Sequence, residues 1–110
     1  RECYSLTSLN LNNFNTSSVT SMKRLFSSCQ SLEILEISNL DTSKVIDMSY
    51  MFSDCELLTS LNLTNFDTFF VETMENMFSF CLSLIDIDMS SFDTFFLDEM
   101  KKIFFFFVFL

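Results

Sequence analysis

The stretch Cys55 to Phe80, CELLTSLNLTNFDTFFVETMENMFSF, decides how the chain is read, because the same pattern is written three more times around it. Its cysteine recurs as Cys3, Cys29, Cys55 and Cys81, at steps of 26 residues. A fixed period of that length is the mark of a repeat architecture, in which each copy buries its apolar face only by stacking on a neighbour. In register, nine columns are apolar in every copy; in the third copy they are Cys55, Leu58, Leu61, Leu63, Phe66, Val71, Met74, Met77 and Phe78. Exchanges within them, such as Leu40 for phenylalanine or Ile87 for leucine, keep size and hydrophobicity, as a packed interior requires.

The period of the apolar pattern changes within each copy. Leu61 and Leu63 alternate with Ser60, Asn62 and Thr64, the two-residue period of a strand with one buried face. The outward triplets are Ser8, Asn10, Asn12; Ile34, Glu36, Ser38; Ser60, Asn62, Thr64; and Asp86, Asp88, Ser90, so only Ile34 interrupts a polar face. Further on, Val71, Met74, Met77 and Phe78 fall at i, i+3, i+6 and i+7, which predicts a helix of about two turns. Between the two stand Asn15-Thr16, Asp41-Thr42, Asp67-Thr68 and Asp93-Thr94, read as helix caps. Each strand must then return parallel to the one before it, which a right-handed solenoid achieves with short connections.

LTSLNLTNFDT, followed by V..M..MF and a cysteine, resembles the 26-residue bacterial surface-protein repeat of the BspA-like leucine-rich-repeat branch, over Cys3 to about Phe104. The resemblance implies an α/β leucine-rich-repeat solenoid with parallel strands on its concave face and short helices on its convex face. It also implies an extracellular or cell-surface protein used for attachment to host or matrix proteins. Copies of that family commonly carry glycine or another small residue before the cysteine, where this chain has Ser28, Asp54 and Phe80. The polar pair after Asp-Thr survives as Ser17-Ser18 and Ser43-Lys44 but becomes Phe69-Phe70 and Phe95-Phe96.

The expected organisation is one repeat domain over residues 1–110, with copies at 3–28, 29–54, 55–80 and 81–106 and an apolar tail at 104–110. The first residue is Arg1 and no polar capping segment is present, which predicts a piece of a longer array. The apolar run from Ile103 to Leu110 is too short to cross a bilayer, which takes about 20 residues. A net charge of -9 disfavours nucleic acid, whose phosphates call for clustered Lys and Arg. With no histidine and no glycine there is neither a Ser-His or Cys-His arrangement nor a phosphate loop, so no enzyme and no cofactor is expected. Turns of positive φ should fall on Asn, Asp or Ser.

Several columns admit more than one use. The cysteines read chiefly as small buried thiols, with disulfides between stacked neighbours or a metal site as alternatives. Met22, Met48, Met74 and Met100 read as core filler. Asn10, Glu36, Asn62, Asp86 and Asp88 form an oxygen-rich outward strip, either a solvated face or a calcium site. Phe69, Phe70, Phe95 and Phe96 would stack into an apolar patch suited to a partner. The functional expectation is a non-catalytic module for protein contact or adhesion; the alternatives are a structural spacer and a degenerate fragment without activity.

Overall fold

The structure, a computed structural model, describes residues 5–92. The two-residue alternation forms strands, but very short ones: β1 (Ser8–Asn10), β2 (Ile34–Glu36), β3 (Ser60–Asn62) and β4 (Asp86–Asp88). In each, the middle residue, Leu9, Leu35, Leu61 or Ile87, turns inward and its two neighbours face solvent. β1 pairs in parallel with β2, placing Ser8 beside Ile34 and Asn10 beside Glu36. β3 pairs in parallel with β4, placing Ser60 beside Asp86 and Asn62 beside Asp88. β2 and β3 are neighbours in space, yet the strands form two separate two-stranded sheets.

The expected α/β leucine-rich-repeat right-handed solenoid, with short helices on a convex face, is overturned. No helix occurs among the described residues, and the regular structure is confined to these four strands. The reason lies in where the backbone N-H groups of the expected helical segment go. An α-helix needs each N-H to reach the carbonyl four residues back. Here Met48, Tyr50, Phe52 and Asp54 instead donate to Thr73, Glu75, Met77 and Ser79 of the following copy, at 2.8–3.0 Å. The residues between them close short turns, as in Val45 N-H to Thr42 C=O at 3.0 Å, Met51 to Met48 at 3.3 Å and Cys55 to Phe52 at 3.2 Å. The first copy does the same, with Met22, Arg24, Phe26 and Ser28 donating to Asp47, Ser49, Met51 and Ser53.

Left-handed residues interrupt the segment as well. Arg24, Tyr50 and Asn76 have φ of 58°, 58° and 54°, and Ser28, Asp54 and Phe80 have 64°, 61° and 60°. A residue in that conformation cannot continue a right-handed helix. The i, i+3, i+6 spacing is therefore the rhythm of successive three-residue turns, each returning one apolar side chain to the interior. Ser28, Asp54 and Asn76 are residue types expected at positive φ. Arg24, Tyr50 and Phe80 are not; for Arg24 and Tyr50, the N-H bonds to Ser49 and Glu75 at 3.0 and 2.9 Å hold the backbone in place.

The interior is built mainly from the repeated columns of the second and third copies; in the first copy the equivalent Leu6, Phe14 and Leu25 are exposed, against the expectation that every copy buries all nine. Phe26, Phe52 and Phe78 stack face to face with centroids 5.6 and 5.5 Å apart, and Val45, Met48, Met51, Met74 and Met77 are fully buried beside them. Cys29, Cys55 and Cys81 are buried too. The expectation of free thiols throughout this column is corrected at Cys29, which is disulfide-bonded. Cys55 and Cys81 are free.

Among the described residues the Asp-Thr column caps no helix, and Asp93-Thr94 lies outside them. Its acidic member closes a local turn, the Asp41 carboxylate accepting from the Ser43 N-H at 2.9 Å and hydroxyl at 2.6 Å. Its threonine fastens neighbouring copies: the Thr42 hydroxyl donates to the Asp67 carbonyl at 3.0 Å and accepts from the Asp67 N-H at 2.8 Å. Thr16 holds Asp41 in the same two-way fashion.

Candidate functional site

Alternation along the strands carries Asn10, Glu36, Asn62, Asp86 and Asp88 outward, and all five are exposed. The parallel register then sets Asn10 beside Glu36 and Asn62 beside Asp88. Over β3 and β4 this produces an open groove of about 320 Å³ lined by Ser60, Leu61, Asn62, Thr64, Asp86 and Asp88. Part of its polar capacity is spent on the local backbone. Asn62 Oδ1 accepts from the Thr64 N-H at 3.1 Å and hydroxyl at 2.7 Å, and Asp88 Oδ1 accepts from the Ser90 N-H at 2.9 Å. Asn10 Oδ1 likewise accepts from the Asn12 N-H at 2.9 Å.

Hydrogen bonds from Ser90, its side chain first and its backbone second, hold the Asp88 carboxyl below the usual carboxylate range. The residue is thus an anion at every physiological pH. Among the described residues no group of three Asp, Glu, Cys or His side chains converges where a metal ion could be held. The strip remains a hydrogen-bonding, negatively charged surface.

Phe69 and Phe70 are 72% and 58% exposed and meet edge to face with centroids 4.9 Å apart. The backbone before them is tied down, Phe69 N-H donating to Asp67 Oδ1 at 3.0 Å. Phe95, Phe96 and the apolar tail lie outside the described residues.

The free cysteines are poor nucleophiles. The Cys55 thiol donates to the Phe26 carbonyl at 3.2 Å and the Cys81 thiol to the Phe52 carbonyl at 3.0 Å. Burial pushes Cys55 up to about 12, partly offset by a backbone hydrogen bond from Cys29 and reinforced by the charge of Asp54. Burial raises Cys81 as well, with the adjacent Cys55 adding to the effect. The thiolate required for attack or metal ligation is suppressed in both.

A second cleft, unanticipated by the sequence reading, lies in the turn segments. The Arg24 guanidinium sits 4.4 Å over the centre of the Tyr50 ring. Asn76 Nδ2 donates to the Tyr50 hydroxyl at 3.1 Å, and Ser79 Oγ donates to Asn76 Oδ1 at 2.9 Å. With Ser53, Asp54 and Phe80 these residues line a space of about 230 Å³. Arg, Tyr and Asn share neither hydropathy nor charge, so equivalence across the repeat gives this column no signal. Reading the three as stacked neighbours would have exposed a cation beside an aromatic ring.

No helix among the described residues is long and apolar enough to cross a membrane. Neither the curated proteins nor the solved structures contain a match to this chain. A family model does match, over residues 1–107, and the chain belongs to that family, described as Mycoplasma protein of unknown function, DUF285.

Proposed function

We propose that the chain is a non-catalytic protein-binding module that receives a positively charged, extended segment of a partner along its outward strand face. The observation that carries this reading is the in-register row of exposed oxygen-bearing side chains ending in the groove over Asn62, Asp86 and Asp88. All the basic residues in the described part of the chain, Lys23, Arg24 and Lys44, lie outside the strands. The net charge of -9 strengthens the same preference, since complementary fields speed encounter and select against acidic partners. An open groove on short strands suits an extended peptide better than an enclosed small substrate.

A place on the cell surface, in contact with host or matrix proteins, is part of the proposal. The disulfide at Cys29 supports it, because such bonds persist in oxidising compartments. The exposed Phe69-Phe70 pair favours a second contact on the same partner, because a paired aromatic patch is a common anchor.

Fluorescence anisotropy with a labelled alternating Lys-Thr peptide tests the reading, with an alternating Glu-Thr peptide as comparison. Binding of the basic peptide should weaken at high salt and fall roughly tenfold in an Asp86→Asn, Asp88→Asn double variant, as loss of charge-assisted contacts predicts. Equal binding of both peptides, or no change in the double variant, refutes it.

A further inference from the structure

The turn-side cleft is built differently from the strand face, and its chemistry points to a ligand of opposite charge. Arg24 is held by the flat face of its guanidinium against Tyr50. A guanidinium anchored that way keeps its N-H edges for a planar acceptor, and the fork matches a carboxylate. No described acidic side chain forms an ion pair with Arg24, so its charge is not already neutralised there. The Tyr50 oxygen accepts from Asn76, leaving its own proton to donate. Asn76 is tethered at both ends of its amide, by Tyr50 and by Ser79, which locks the orientation of the tyrosine hydroxyl. Asp54, lining the same space, supplies an acceptor for a hydroxyl or amide N-H elsewhere on the ligand. A volume of about 230 Å³ admits a small polar molecule or the end of a chain.

We infer that Arg24, Tyr50 and Asp54 form a subsite for a small carboxylate bearing hydrogen-bond donors. The guanidinium edge and the tyrosine proton take the carboxylate, and Asp54 takes the donors. The site lies outside the strand face and does not depend on the reading proposed for that face. Two sources share this chemistry, the sugar acid at the end of an acidic glycan and the terminal carboxylate of a peptide.

Titration of the ¹⁵N-labelled chain, followed by NMR, separates the outcomes. The probes are sodium glucuronate, acetyl-dialanine and neutral glucose. The inference expects glucuronate or acetyl-dialanine to shift the Arg24 Nε-H and the Tyr50 resonances in a saturable way while glucose does not; whichever carboxylate binds more tightly identifies the source. Arg24→Gln should weaken that binding roughly tenfold or more, the scale of a lost charge-assisted pair. Tyr50→Phe, which keeps the ring beneath the guanidinium, should weaken it roughly threefold. Lys23→Gln, altering a neighbouring cation that does not line the cleft, should leave it unchanged. The assignment is overturned if neither carboxylate shifts these resonances, if glucose does so equally, or if Lys23→Gln weakens binding as much as Arg24→Gln. Should Arg24→Gln fail to fold, Tyr50→Phe decides alone, and wild-type affinity in that variant overturns the assignment.

Discussion

The strand side and the turn side of this molecule do similar work by different means. On the strand side, β1 pairs with β2 and β3 with β4, while β2 and β3 belong to separate sheets. On the turn side, the cross-copy hydrogen bonds run without interruption, from Met22 to Asp47 and from Met48 to Thr73, and the bridges link Ser21 to Asp47 and Asp47 to Thr73. The aromatic stack of Phe26, Phe52 and Phe78 also belongs to the turn side. The lesson is that the segment lacking regular secondary structure carries the more continuous attachment between copies. Regularity of the backbone and cohesion of the fold are separate properties.

The sharpest way to break that comparison is to empty each side in turn. Phe52→Ala on the turn side should cost about 3–5 kcal/mol, because the ring is fully buried and stacked on both faces. Leu61→Ala on the strand side should cost about 2–3 kcal/mol, since its strand is short and its neighbours are solvated. Urea unfolding followed by circular dichroism reads both, and a larger loss at Leu61 would invert the ranking of the two sides.

The threonine staples offer a finer test. Thr42→Val removes a buried hydroxyl that serves both the N-H and the carbonyl of Asp67, and should destabilise by about 1–3 kcal/mol. Thr16→Val removes the same pair of bonds at a more exposed place, where water substitutes, and should cost about half as much. Equal losses in the unfolding midpoint would show that burial does not set the value of the staple.

Backbone conformation separates the two sides with opposite signs. Ser28→Gly, at a φ of 64°, should stabilise by about 0.5–1 kcal/mol because glycine removes the left-handed penalty. Ser8→Gly in β1 should destabilise by about 0.5–1 kcal/mol, the entropic cost of glycine in a strand. Thermal melts of the two variants should move in opposite directions.

The smallest effect at neutral pH lies in the thiols. Cys55 is raised from 9.0 to about 12 in the folded chain, so the neutral thiol is the form the fold favours. Its contribution is fully present below pH 9.0 and is lost as pH rises toward about 12. Stability should therefore be flat in this respect at pH 7 and decline through the alkaline range. A Cys55→Ala, Cys81→Ala variant should decline less steeply, and identical slopes in urea melts at pH 8 and pH 10.5 would contradict the assignment. Asp41 and Asp88 act in the opposite direction: held below 3.8 by Ser43 and Ser90, they favour the fold above that pH and lose their effect as pH falls through their lowered values.

Much of the strand-face site was legible because two-residue alternation is hard to mistake when polar and apolar residues strictly exchange. Asn10, Glu36, Asn62, Asp86 and Asp88 all face outward for that reason. The calcium alternative to a solvated face on the same strip rested on its oxygen-rich composition. It lacked the local fact that Asn62 and Asp88 spend oxygens on Thr64 and Ser90. The positive-φ column before each cysteine was legible in part, through the small residue expected there, and the second column at Arg24, Tyr50 and Asn76 not at all. Cys29 shows the limit of column reasoning: Cys29, Cys55 and Cys81 are all buried, but the first is oxidised and the other two are not.

From the sequence by itself follow the 26-residue period, the columns that are buried in the second and third copies and the strand residues that face water, because hydropathy and its spacing record burial there directly. Whether Val45, Met48, Met51 and Phe52 sit on a helix or on a chain of turns was decided only in three dimensions. A three-residue turn and a helical turn return an apolar side chain at nearly the same interval, so the pattern cannot separate them. What separates them is the acceptor for each N-H, and for Met48, Tyr50 and Phe52 that acceptor belongs to the next copy, 25 residues away.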